Sequence, residues 1–79
     1  MITVYSKDKC PNCISAMNYL DNNNIDYVVI KIDLDQNARN FLVSNGHRAV
    51  PQVYADNKHL GGWPGIATVS PLILLKEEV

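Results

Sequence analysis

Lys7-Asp8-Lys9-Cys10-Pro11-Asn12-Cys13 holds both cysteines of the chain, two residues apart, after a short β-branched and aromatic run and before a segment with helical periodicity. Two cysteines so placed can form a reversible disulfide, supply half of a metal site, or act as a staple. A structural zinc site needs four ligands. Only His47 and His59 remain to complete one, and their separation fits no familiar ligand spacing. A staple is also a poor account, because the entropic gain from a cross-link grows with loop length and this loop is very short. Redox exchange is the reading left standing.

The neighbouring residues supply what that exchange needs. Pro11 has a ring-fixed φ and no N–H, so it suits the first helical position and leaves Cys10 at the N-cap. There the free N–H groups and the positive end of the helix dipole favour a thiolate over a thiol. In such settings the pKa falls from about 8.5 into the range ~3.5 to 7.5. Cys10 is therefore read as the attacking thiol and is expected to be exposed. Cys13, one turn further in, is expected to be shielded and close enough to resolve a mixed disulfide. Lys7 and Lys9 add positive charge and Asp8 subtracts some, with Lys9 read as a solvated loop side chain.

Composition limits the alternatives. Seventy-nine residues make one domain, spanning 1–79, and an apolar share of 47% is that of a folded globule. A formal net charge of −1 gives neither the basic footprint of a nucleic-acid binder nor a polybasic membrane signal. Met1-Ile2-Thr3-Val4-Tyr5 lacks the pattern of a secretory signal, and no apolar stretch approaches the ~20 residues of a membrane span. The expected compartment is the reducing cytosol, where a lone Cys-x-x-Cys beside a βαβ pattern is more often catalytic than structural.

Outward from the cysteines, residues 2–5 read as a central strand. From Pro11 to about Asn22, Ile14, Met17 and Leu20 recur at helical spacing with Cys13 and Ala16. Asn22-Asn23-Asn24 ends that helix, since asparagine tolerates the left-handed conformation. Tyr27 to Ile32 is an apolar run too continuous to have one wet face. Strand, helix, strand in about thirty residues makes a right-handed crossover with the two strands parallel. Asp33 or Asp35 caps a second helix over 36–44, with Ala38, Phe41, Leu42 and Val43 near one side and Asn45-Gly46 as its stop. Residues 49–55 read as a strand entered through Pro51, Asp56-Asn57 as a turn, and residues 58–60 as a short antiparallel return. Pro64 opens a short helix over about 64–69. Ser70 then caps another with Pro71 at its first position, and residues 72–75 are expected to cover the sheet.

Three motifs in this order resemble the glutaredoxins: the Lys7 to Cys13 stretch, Arg48-Ala49-Val50-Pro51-Gln52-Val53, and Gly61-Gly62 after a hairpin. The resemblance runs from Ile2 to about Trp63. It implies an α/β fold of the thioredoxin/glutaredoxin type, βαβαββα, with a four-stranded mixed sheet and helices on both faces. It also implies that Cys10 attacks protein disulfides or glutathione mixed disulfides and that Cys13 resolves the intermediate. Lys7 would contact the glycine carboxylate of glutathione. Val50, before a cis Pro51, would pair its backbone with the cysteinyl unit. Pro11, Asn12, Gly61, Gly62 and Trp63 would complete the substrate surface. A lone Trp is as readily core as surface, and its place after the glycines favours a rim role.

Four departures bear on the partner. Asn12 stands where an aromatic is common, and Ala49 where the family usually has threonine. Trp63-Pro64-Gly65 replaces a segment that offers an N–H and a carboxylate to the γ-glutamyl end of glutathione. Pro71 interrupts what is usually one last helix. The third departure resembles glutaredoxin-like redoxins that serve ribonucleotide reductase and are recharged by thioredoxin reductase. The expectation is a monomeric, cytoplasmic dithiol oxidoreductase without metal or tightly bound cofactor, using glutathione as reductant and acting on disulfide-containing proteins. The alternatives are the redoxin for ribonucleotide reductase and a non-catalytic adaptor.

Overall fold

The computed structural model describes residues 1–77. Its elements are β1 (Ile2–Ser6), α1 (Pro11–Asn22), β2 (Val28–Lys31), α2 (Gln36–Ser44), β3 (Gln52–Ala55), β4 (Lys58–Gly61), a 3₁₀ turn (Gly65–Thr68) and α3 (Pro71–Glu77). The strands form one mixed sheet in the order β2-β1-β3-β4. β1 pairs parallel with β2 and antiparallel with β3, and β3 pairs antiparallel with β4. This is the expected fold. The expected unit spanning 1–79 includes Glu78 and Val79, which lie outside the described residues.

Strand alternation sorts the sheet into two faces. Val4 lies opposite Val53 and Ile2 opposite Ala55. With Ala16, Leu20, Ile66 and Leu74 they form the main buried cluster, so α1, the 3₁₀ turn and α3 share this face. Tyr5 and Tyr54 point the other way and meet Phe41 of α2, with ring centroids 5.6 and 5.2 Å from the Phe41 ring. Asp35, of the two candidate caps, accepts from the Ala38 N–H at 3.0 Å and starts α2. α1 ends as expected, with Asn24 left-handed at φ 57°.

Several expectations need correction. β2 is an edge strand, and Val28 and Val29 are each 41% exposed. The continuous apolar run does not mean burial on both sides here, because only one flank of β2 is paired and α1 does not reach across it. On α1, the Tyr19 hydroxyl donates to the Val69 carbonyl at 3.1 Å, tying the helix to the end of the 3₁₀ turn. The strand expected from residue 49 starts at Gln52, since residues 49–51 form the proline-bearing bend. Of residues 72–75, only Leu74 is fully buried; Leu72 and Ile73 face solvent. A seven-residue helix lying on a sheet turns only one side inward. The Ser70 cap holds, with its hydroxyl 3.3 Å from the Leu72 N–H.

Leu74→Ala should therefore lower unfolding free energy by about 2–5 kcal/mol, whereas Leu72→Ala should stay within about 0.5 kcal/mol of the parent. Urea unfolding midpoints at constant m-value check both. Equal losses would mean that α3 is rotated from this orientation.

Candidate active site

β1 delivers the chain to the sheet's end, and the turn through Lys9, left-handed at φ 54°, swings it into α1. Cys10 is the N-cap and Pro11 occupies the first helical turn. The Cys10 sulfur accepts from the Cys13 N–H at 3.2 Å, and the two cysteines are joined as a disulfide. The same sulfur lies 3.9 Å from the Val50 carbonyl oxygen. These neighbours act in opposite senses on a thiolate: the N–H attracts it and the carbonyl repels it. The nearer N–H, aligned with the helix dipole, has the larger effect.

Cys10 was expected to be exposed, yet it is 8% exposed, against 1% for Cys13. In the disulfide its sulfur turns inward toward Cys13 and under the proline loop. The order of accessibility is still the expected one. The Val50-Pro51 bond is cis, as the family resemblance implied, and so is Trp63-Pro64, which sequence reading did not anticipate.

Gly62 packs against this loop. A Cβ on Gly62 would stand 2.9 Å from the Pro51 carbonyl oxygen, closer than side chains tolerate, so the two backbone segments meet only through a glycine. Gly61 has φ 143°, in the region that glycine favours. Trp63 is half-buried, packs on the main core cluster and lies 6.3 Å from the Tyr19 ring. The expected rim role thus gives way at least in part to packing. Pro11 and Asn12 are exposed beside the disulfide.

Two cavities flank the cysteine pair. One, of about 200 Å³, is lined by Lys7, Arg39 and Arg48 together with Asp33, Ala49 and Val50. The other, of about 430 Å³, lies along α1 and β2 and includes both cysteines. Lys7 lines both. Arg39 and Arg48 were not singled out from the sequence. An arginine on the exposed side of α2 and one in a loop look like ordinary solvated charges until the fold brings them beside Lys7. Asp8 proves less of a counterweight to the lysines than its position suggested. Lys31 donates to it at 2.9 Å, and that hydrogen bond raises the lysine's pKa.

Behind the proline loop, His47 stacks on His59 with centroids 4.2 Å apart, over Tyr54. Partial burial first, and the adjacent His47 second, hold the His59 pKa below its ordinary value. Their ring contact joins the loop before Pro51 to β4.

A disulfide at a helix start, beside a cis-proline loop on a mixed four-stranded sheet, defines a thiol–disulfide oxidoreductase of the thioredoxin fold. The glutaredoxin family profile matches residues 2–60. A probable glutaredoxin of Synechocystis sp. is 33% identical over 63 residues, covering 77% of this chain and 72% of that relative. The chain spans 62 to 75% of the length of eight curated relatives it matches. The buckwheat glutaredoxin–glutathione complex superposes with a TM-score of 0.76 at 25% identity, over 98% of this chain and 74% of that one. The glutaredoxin-like NrdH-redoxin from Escherichia coli, described as having a thioredoxin-like activity profile, gives 0.74 at 26% identity, over 81% and 84%. The chain belongs to the glutaredoxin family.

Gly62→Ala should displace the Pro51 loop. Overpacking of this kind costs about 1–3 kcal/mol, and the loss of disulfide-reducing activity should exceed what the unfolded fraction accounts for. Gly65→Ala, where an added Cβ meets nothing within 4 Å, is the matched control. Equal behaviour of the two variants in urea melts and in turnover would contradict the close approach.

Proposed function

We propose that this protein reduces disulfides by a two-cysteine exchange and is recharged by glutathione. The observation that carries the reading is the Cys10 sulfur at the N-cap, within 3.2 Å of the Cys13 N–H and beside the cavity of Lys7, Arg39 and Arg48. In the reduced protein the Cys10 thiolate attacks one sulfur of a substrate disulfide. A mixed disulfide forms, and the departing substrate thiolate takes a proton from solvent. Cys13, as thiolate, then attacks the Cys10 sulfur and releases the second substrate thiol. The substrate gains two electrons and the protein is left with the Cys10–Cys13 disulfide. Two molecules of glutathione reverse that change and leave as glutathione disulfide.

The cationic cavity suits the glycine carboxylate of glutathione, because Lys7, Arg39 and Arg48 outnumber Asp33 in its lining, which also includes Val50, whose backbone can hold the peptide. The other end of glutathione is less well served. Pro64 has no N–H, and the Ile66 N–H is spent on the Gly62 carbonyl at 2.8 Å. One charge-assisted hydrogen bond contributes roughly 1.5–3 kcal/mol, and each 1.4 kcal/mol is about tenfold in affinity. Glutathione should therefore bind about ten- to a hundredfold more weakly than in a glutaredoxin with the complete pattern.

A second reading, recharging by thioredoxin reductase and service to ribonucleotide reductase, draws on the same Trp63-Pro64-Gly65 segment and on the likeness to NrdH-redoxin. A coupled assay separates the two. With a small mixed disulfide as substrate, turnover driven by glutathione and glutathione reductase should exceed turnover driven by thioredoxin reductase, and Cys10→Ser should abolish both. Gly65→Asp places a carboxylate where a side chain meets no obstruction, and should lower the glutathione concentration at half-maximal rate. Efficient turnover with thioredoxin reductase and negligible turnover with glutathione would reverse the assignment.

A further inference from the structure

Val29 lies opposite Val4, in register with the buried face of the sheet, yet it remains 41% exposed. On α1, Ile14 is 56% exposed and Met17 half-buried, one turn apart on the same side as Cys13. These apolar side chains wall a cavity of about 430 Å³ that opens on both cysteines. On the other side of α1, Tyr19 makes the Val69 hydrogen bond and the Trp63 ring contact, so its bulk does not fill this cavity. Ligand pockets commonly measure about 300–1,000 Å³, and this open groove falls within that size. It is roomy enough for one or two amino-acid side chains.

The rim has a sign. Lys7, Lys9 and Lys31 line the cavity against the single carboxylate of Asp8, a local excess of two positive charges in a chain whose net charge is −1. Two copies of the chain meeting through this groove would oppose like rims, which disfavours self-association there. An acidic polypeptide gains on both counts.

We propose that the groove between α1 and β2 is a substrate-protein docking site, taking an apolar side chain next to the substrate cystine while carboxylates nearby in that substrate meet Lys7, Lys9 and Lys31. The proposal rests on Cys10 as the attacking thiol and adds the class of substrate. It also divides the two flanks of the disulfide. The protein substrate enters along α1 and β2, and the cavity of Arg39 and Arg48 stays available to the small anionic reductant.

The test is a single-turnover reaction of the reduced full chain with three 2-pyridyl disulfides. One is on a short peptide with leucine beside its cysteine and flanking glutamates. The second is on a matched peptide with serine and lysines, and the third is on 2-mercaptoethanol. In each reaction Cys10 displaces 2-thiopyridone, which is read by absorbance, and Cys13 then releases the thiol. One hydrophobic group in a pocket discriminates roughly 10–200-fold. The leucine–glutamate peptide should react at least about tenfold faster than the serine–lysine one, with an advantage that shrinks as salt rises. Ile14→Ser combined with Val29→Ser should remove most of that advantage relative to the mercaptoethanol derivative, and Lys31→Glu should remove its salt dependence. Circular dichroism checks that the variants fold, and the exposure of all three positions favours that. Equal rates for the two peptides, or an advantage untouched by the double substitution, would overturn the docking site while leaving the cysteine chemistry standing. Failure of all three compounds to react would overturn both. A concentration-dependent dimer lost on Ile14→Ser would assign the groove to a second copy and so overturn the proposal.

Discussion

The hydrogen bond from the Cys13 N–H to the Cys10 sulfur, 3.2 Å long, is the contact around which this molecule is arranged. It exists because Pro11 begins a helix without an N–H of its own, leaving Cys10 as the cap and the Cys13 N–H directed at its sulfur. Most caps in proteins are oxygen atoms of Ser, Thr, Asp or Asn. Here the same geometry is applied to a sulfur, and the physical effect that stabilises a helix end would also stabilise negative charge on the Cys10 sulfur in the reduced protein, the atom proposed above to attack. Fold stability and reactivity therefore draw on one interaction.

The sheet keeps that atom in reach of a partner. β1 pairs on both sides, and β3 beside it is entered through Pro51, so the proline loop and the cysteine helix start at the same end of adjacent strands. Gly62 closes the arrangement from β4 by allowing the backbone to touch the Pro51 carbonyl. Charge gathers there as well. Lys7, Lys9, Lys31, Arg39 and Arg48 all line the two cavities beside the disulfide, out of 7 lysines and arginines in the chain. A protein of net charge −1 thus presents a cationic end to whatever carries the disulfide.

Local signals were readable in the sequence where one residue's chemistry decides the outcome. Pro11 fixed the start of α1, Ser70 and Pro71 the start of α3, Asp56-Asn57 the hairpin, and the cysteine spacing the redox pair. What could not be read depends on partners distant in the chain. Val28 and Val29 have the composition of a buried strand, and only the strand order reveals that β2 lies at an edge. Arg39 and Arg48 carry no local mark and acquire meaning only when α2 and the proline loop bring them beside Lys7. The burial of Cys10 likewise follows from the loop that folds over it, not from its place at a helix start. Leu72 and Ile73 were assigned to the sheet because four apolar residues in a row conceal which side a short helix turns inward.

The central claim is that the N-cap geometry makes Cys10 the reactive thiolate. The most direct test is the rate of alkylation of the reduced protein against pH, with the modified residue located by mass spectrometry. The account predicts modification at Cys10 and an inflection well below the value of about 8.5 for a free thiol. An inflection near that value, or equal modification of Cys10 and Cys13, would contradict it.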